Sequence, residues 1–308
     1  LVENGVPPSN ILLLTFTNKA AREMLDRVAN LLPNDISGLW GGTFHSVGNR
    51  LLRRHPERLG YRPGFSIMDR EDQKDLIDAV LGNAAIDPGA YRFPKAEVLA
   101  EMFSLAENIC CDLQEIIDTR YPYFDMVSEP IHRVHELYRE KKIETNTMDF
   151  DDLLTLSVRL LQENEDILKI YQHMFQFVLV DEFQDTNPLQ WQILRAWLAG
   201  YSVGDEKPKV FIVGDPKQSI YRFRRADPRL FVSAAQFLHQ HHEAAYIEQD
   251  KTRRNAHEIN QVVNAIFQGE QVPPDYPYTE QHTLWTTPNE DRPTGAYAGK
   301  GEIYLLPL

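Results

Sequence analysis

The sequence predicts an α/β fold organised around a parallel sheet, and three features predict it. Three short apolar runs, Ile11–Thr15, Phe177–Val180 and Val210–Val213, have the length and flanks of buried parallel strands. The first passes through a polar turn into a helix-period segment, the repeating pattern of α/β architecture. The second and third end directly on acids, Asp181 and Asp215. Ligands gather at the carboxyl ends of strands in such sheets.

Taken in order, the first run leads to Thr17 and Asn18, either of which suits an N-cap. Met24, Leu25, Val28, Leu31 and Leu32 then fall on one helical face. Between about Gly60 and Met148 the chain turns helical and charged, punctuated by Pro63-Gly64, Pro88-Gly89 and Tyr121-Pro122, with no apolar run that reads as a buried strand. This predicts a helical insertion within the α/β unit. A second boundary is expected near His239–Ala245, and residues from about Gln271 to Gly301 read as a long exposed connection rich in Pro, Thr, Gly and acids. The expected organisation is therefore 1–59 and 149–243 as two parts of one domain, 60–148 as the insertion, and 244–308 as the start of another domain. The chain begins at Leu1 and ends on a strand-like run, Ile303–Leu308, so both ends are read as cut.

The composition sets limits. With 308 residues and 43% apolar content, the chain can bury a sizeable core. A formal charge of −13 argues against coating nucleic acid through bulk positive charge. A local groove of cationic and aromatic side chains remains compatible with that charge. The two cysteines, Cys110 and Cys111, are adjacent and build no disulfide framework, which predicts a cytoplasmic location. No apolar run reaches the roughly 18–20 residues that span a bilayer. His132 with His135, and His239 with His241 and His242, lack metal-ligand spacing and read as surface.

Two strings carry chemistry. Asp181-Glu182-Phe183-Gln184-Asp185-Thr186-Asn187 follows a strand; such an Asp holds Mg²⁺ through water and the next Glu positions and deprotonates an attacking water. Gly214-Asp215-Pro216-Lys217-Gln218-Ser219 makes a tight strand-end turn that aims Gln218 at a phosphate. Behind it Tyr221 and Phe223 alternate with Arg222, Arg224 and Arg225, a pattern suited to stacking on bases while neutralising their backbone.

With those strings the chain resembles superfamily 1 helicases of the UvrD/Rep/PcrA type and the related helicase–nuclease subunits AddA and RecB. Thr15-Phe16-Thr17-Asn18-Lys19-Ala20-Ala21 is similar to motif Ia and Gly42-Thr43-Phe44-His45-Ser46 to motif Ib. Asp149-Phe150-Asp151-Asp152-Leu153-Leu154 is similar to the stretch that re-enters the first core domain. The two acidic strings above stand where the family has motifs II and III. Thr252-Arg253-Arg254-Asn255 resembles a divergent motif IV. The resemblance implies a RecA-like domain and the start of a second one. It implies ATP as substrate with Mg²⁺ at Asp181 through water, Glu182 activating water, and Gln218 and Arg254 contacting the γ-phosphate. It implies that Phe16, Asn18, Thr43, His45, Tyr221, Phe223 and Arg224 lie along single-stranded DNA near duplex junctions.

The same resemblance implies a Gly-rich phosphate loop one helix before motif Ia. Fourteen residues precede Thr15 and none forms that loop, so the chain by itself is expected not to turn over ATP. The intact parent is expected to be an ATP-dependent 3′-to-5′ DNA helicase of repair or recombination. The rival expectations are the motor part of an AddA/RecB-like helicase–nuclease, and a non-catalytic DNA-binding protein derived from a helicase.

Overall fold

A computed structural model of the chain describes residues 1–31, 38–83, 93–201 and 207–247. The chain divides into two compact units, Leu1–Phe231 and Val232–Leu308. Of the second, the described part is mainly the body of one helix, whose buried residues are Ala234 and Leu238.

The first unit is built on four parallel strands: β1 (Ile11–Thr15), β2 (Trp40–Thr43), β5 (Phe177–Val180) and β6 (Lys209–Ile212), ordered β2-β1-β5-β6. The first two of the three predicted strands are found at their expected bounds, and the third begins and ends one residue earlier. Leu12 pairs with Trp40 on one side and Val178 on the other, so β1 is interior and its residues Leu12 and Leu14 are fully buried. β6 is more open, with Phe211 exposed.

Helices follow the strands. Thr17 is the cap of α1 (Asn18–Leu31), its hydroxyl accepting the Ala20 N–H at 3.1 Å. Thr43 caps α2 (Phe44–Leu52), accepting from the Ser46 N–H at 3.3 Å. After β5, Asn187 and Gln190 form a reciprocal capping box at the start of α9 (Pro188–Leu198), which has Pro at its first position. Trp40, Phe44, Leu52, Phe175, Leu194 and Trp197 are among the side chains that fill the core.

Residues between β2 and β5 leave the sheet and return. Four described helices, α3 (Arg70–Asn83), α4 (Ala96–Ile109), α5 (Leu113–Arg120) and α6 (Ser128–Thr145), bury a separate core of Ile77, Leu99, Met102, Phe103, Ile117, Ile131 and Val134. One element there was not expected: β3 (Ser66–Ile67) pairs in parallel with β4 (Thr147–Met148), joining the two ends of the helical stretch. Two residues are too few to produce a strand periodicity in the sequence. The chain then enters α7 (Asp152–Glu163) and α8 (Glu165–Met174), which lead to β5.

The turn between α6 and α7 holds a buried ionic cluster. Lys142 Nζ lies 2.8 Å from Asp149 and 2.7 Å from Asp152, and the Tyr138 hydroxyl donates to Asp149 at 2.7 Å. Asp149 and Asp152 also cap one another's backbone N–H groups at 2.8 and 2.9 Å. Burial pushes the Asp152 carboxyl upward against the pull of Lys142. The two carboxylates in turn hold Lys142 firmly charged despite its burial.

Candidate nucleotide and nucleic-acid site

The site lies along the carboxyl ends of the strands, as parallel-sheet physics requires. The Asp181 N–H donates to the Leu14 carbonyl at 2.9 Å, which continues the ladder one residue past β5. The chain then turns sharply. Glu182 occupies the left-handed region at φ 54°, ψ 35°, a conformation that costs a non-glycine residue about 1–3 kcal/mol. Two contacts support it: the Asp181 carboxylate accepts the Glu182 N–H at 2.9 Å, and the Thr15 hydroxyl donates to Glu182 Oε2 at 3.2 Å. Asp181 is left exposed and Glu182 half-buried. This is a hard-oxygen donor set with open positions, which suits Mg²⁺ held by one or two carboxylates and substrate phosphates.

A single turn of 3₁₀ helix, Phe183–Asp185, then runs alongside the segment that follows β6, and Phe183, Gln184 and Thr186 tie to it. The Phe183 N–H donates to the Val213 carbonyl at 3.1 Å. Gln184 Oε1 accepts the Asp215 N–H at 3.2 Å. Asp185 is buried, and burial with the nearby charge of Glu182 pushes its carboxyl up to about 6. The Thr186 carbonyl accepts the Asp227 N–H at 3.1 Å. Gly214 is what permits this approach: a Cβ there would stand 2.6 Å from Gln184 Oε1 and 3.1 Å from the Gln184 nitrogen.

Gln218 is exposed at the same strand end, donating to Asp215 Oδ2 at 3.0 Å. Past it, the aromatic residues form a row. Phe16, from the end of β1, packs against Tyr221 with centroids 5.1 Å apart, and Tyr221 packs against Phe223 at 5.7 Å. The Arg224 guanidinium lies 5.2 Å from the Tyr221 ring and 5.6 Å from the Phe223 ring. Phe223 is 76% exposed, which is unusual for a large apolar ring with no role at a surface.

The remaining residues expected at the site fall as follows. Asn18 is exposed at the first turn of α1, and Thr43 is buried with its hydroxyl engaged in the α2 cap. His45 is on α2, and burial drives its imidazole down to about 4, so it is neutral at pH 7. Arg254 lies outside the described residues, as does the expected second domain beyond 247.

Three contributors were missed by sequence reading. Phe150 is 56% exposed and meets the His45 ring edge-on at 6.3 Å. Its signal was an aromatic flanked by acids on both sides, which is a poor core environment. Thr15 stood in the motif Ia string but was given no role of its own, and its hydroxyl meets Glu182. Asp185 looked like one more acid in an acidic string.

Residues 1–239 match the family model for the UvrD/REP helicase N-terminal domain. The chain belongs to the UvrD/Rep helicase family. Among curated proteins it is 32% identical over 303 residues to the ATP-dependent DNA helicase PcrA of Bacillus subtilis, covering 98% of this chain and 38% of that protein. It is 33% identical over 267 residues to PcrA of Staphylococcus aureus, covering 87% of the chain and 34% of that protein. PcrA of Staphylococcus epidermidis is similar to the same degree over 35% of its length. The chain thus spans just over a third of the length of the helicases it matches. The fold is that of an α/β RecA-like helicase domain.

Proposed function

We propose that the parent of this chain is an ATP-dependent DNA helicase that translocates 3′ to 5′ on single-stranded DNA and works at duplex junctions in repair or recombination, in the cytoplasm. The observation that supports this reading best is the seam of hydrogen bonds that ties the strained Glu182 turn to the segment carrying Tyr221 and the exposed Phe223. A site for phosphoryl transfer and a surface for stacking bases share one seam, which is the arrangement a motor needs.

In this reading the Glu182 carboxylate, oriented by the Thr15 hydroxyl, takes the proton of the attacking water. Asp181, at the strand end, would hold Mg²⁺ through water, and the cation would supply positive charge for the transferring phosphoryl group. Gln218 senses the γ-phosphate and passes its presence to the turn it shares with Asp215. Arg254 reaches the same phosphate from the second domain. Phe16, Tyr221 and Phe223 stack on bases, Arg224 and Asn18 meet the backbone, and Thr43 and His45 extend the track. Residues 1–59 and 149–243 form one core domain, 60–148 its helical insertion, and 244–308 the start of the next. The 308 residues contain no Gly-rich phosphate loop, so this chain by itself does not turn over ATP.

The test is ATP hydrolysis by the full-length protein with and without single-stranded DNA. We expect DNA-dependent turnover that Glu182→Gln lowers by about 10²–10⁴-fold with DNA binding kept. DNA binding without turnover in the wild type would replace this reading with that of a binding protein built on a helicase fold.

A further inference from the structure

The chain carries 45 acidic and 32 basic residues, and cations on its helices find carboxylates one turn away. Lys19 and Arg27 meet Glu23, Arg133 meets Glu136, Arg159 meets Glu163 and Lys169 meets Glu165. The end of α2 departs from that pattern. Residues 50–62 hold five arginines and one glutamate. Arg58 is paired with Asp166 at 2.6 Å. Arg50, Arg53 and Arg54 are exposed, and none has a carboxylate partner among the described residues.

These guanidiniums rest on aromatic rings instead. Arg50 and Arg54 lie 4.0 and 4.5 Å from the Trp40 ring. Arg53 lies 4.0 Å from the Phe65 ring and donates to the Phe65 carbonyl at 2.6 Å. Trp40 is buried at the start of β2, an edge strand, and is fixed by edge-on contacts with Tyr171 and Phe175. Arg50 adds a long bond of 3.5 Å to the Leu39 carbonyl. Burial first, and then the charge of Arg54, lower the Arg50 guanidinium from its ordinary value. Two like charges over one ring repel each other, and an anion from outside would relieve them. A stacked guanidinium is also pre-organised, with its N–H donors left for phosphate oxygens.

The arginines stand on the helix that begins at the proposed DNA track. Thr43 caps α2 and His45 lies in its first turn. Ser46, Arg50 and Arg54 then follow at four-residue spacing, and all three are exposed. From His45 to Arg54 the rise is about 13 Å, at 1.5 Å per residue. A strand leaving His45 along this face therefore meets Arg50 and then Arg54. That continuity favours a nucleic-acid backbone over an acidic protein segment, which would have no need of it.

We propose that Arg50 and Arg54, seated on Trp40, bind backbone phosphates of a further stretch of single-stranded DNA that runs from His45 along α2. This rests on the DNA reading above and extends it beyond the strand ends.

The experiment titrates the full-length protein with oligo(dT) of increasing length, read by anisotropy at several salt concentrations. Wild type should gain affinity up to a length that the Arg50→Gln/Arg54→Gln variant does not use. For the longest oligo(dT) the variant should bind about tenfold more weakly, with a plot of log Kd against log salt shallower by about 1.4, the value for two phosphates of a single strand. For the shortest oligo(dT) that wild type binds, the two proteins should bind nearly alike. Arg50→Gln and Arg54→Gln singly should each give about half of the slope change, and they decide the matter if the double variant fails to fold. Arg50→Lys/Arg54→Lys keeps the charges and should keep the wild-type slope, which mere support of Trp40 would not require. Equal losses at all lengths, an unchanged slope in the glutamine variants, or a lysine slope as shallow as theirs overturns the proposal. Binding of poly(glutamate) that needs these arginines, with oligo(dT) binding unaffected, overturns it in favour of an acidic protein segment. Absence of oligo(dT) binding by wild type overturns the DNA reading itself and is a separate outcome.

Discussion

Two acidic clusters, thirty-odd positions apart in sequence, use carboxylates in opposite ways. In the stem of the helical insertion, Asp149 and Asp152 are buried, paired with Lys142, and spend their remaining acceptor capacity on Tyr138 and on each other's backbone. At the end of β5, Asp181 is exposed and Glu182 has one side-chain donor, the Thr15 hydroxyl, on a strained backbone. The first cluster is closed: no partner is missing, so it can only hold structure. The second is open, with acceptor capacity left for something the chain does not itself supply. Composition does not separate them, since both are Asp-rich strings beside a Phe. The neighbouring cation does.

The comparison predicts its own largest effect. Lys142→Met keeps the volume of the side chain and removes the charge, leaving two buried carboxylates without their partner. Loss of one member of such a buried cluster costs about 3–5 kcal/mol. Equilibrium urea unfolding of the 308-residue chain should show that loss, whereas Glu182→Gln, at the open cluster, should stay within about 0.5 kcal/mol of wild type. Equal costs for the two would mean that the clusters do not differ in kind.

How far this was legible in the sequence follows the same division. The strands β1 and β5 were readable as unbroken apolar runs, β1 buried on both faces and β5 buried on one and partly covered on the other. The third run differs by one residue: Val213 still donates to the Val180 carbonyl, so the ladder continues where the regular strand stops. The motif residues at strand ends were readable because the strand ends were. The stem was not. Lys142 sits seven and ten residues before its partners, and the contact exists because Asn146 turns the chain in the left-handed region between them. In sequence, Lys141-Lys142 looks like a solvated helix face. The seam was hidden for a related reason: Gln184 meets Asp215 across a strand and a turn whose approach depends on Gly214.

That glycine gives the second, smaller effect. In Gly214→Ala the new methyl meets Gln184 Oε1, the Gln184 nitrogen and, at 3.0 Å, the Phe231 ring. The glutamine side chain can swing away, but the backbone nitrogen cannot. Overpacking of this kind costs about 1–3 kcal/mol. Because the strain falls on the seam and not on the stem, affinity of the full-length protein for oligo(dT) should weaken along with stability. Lys142→Met, by contrast, should change stability more and affinity less per folded molecule. Both are read by anisotropy titration beside urea unfolding, and a Gly214→Ala protein that binds as wild type does would show that the seam tolerates opening.

The smallest effect concerns pH and again sets one acid against its neighbours. The folded-state pKa of Asp185, about 6, lies above the ordinary value near 4 that the unfolded chain presents. The folded protein therefore holds this proton more tightly than the unfolded one between those pH values. Raising the pH through that window forces a deprotonation that burial and Glu182 oppose, so stability falls with pH there and is level above it. Asp185→Asn carries no such proton. Its unfolding free energy minus that of wild type should rise between about pH 4 and 6 and then plateau, with every other titrating group cancelling in the difference. A flat difference curve would mean that Asp185 bears no electrostatic cost in the folded state. A rising curve would mark Asp185 as a buried acid whose ionisation lowers the stability of the folded protein.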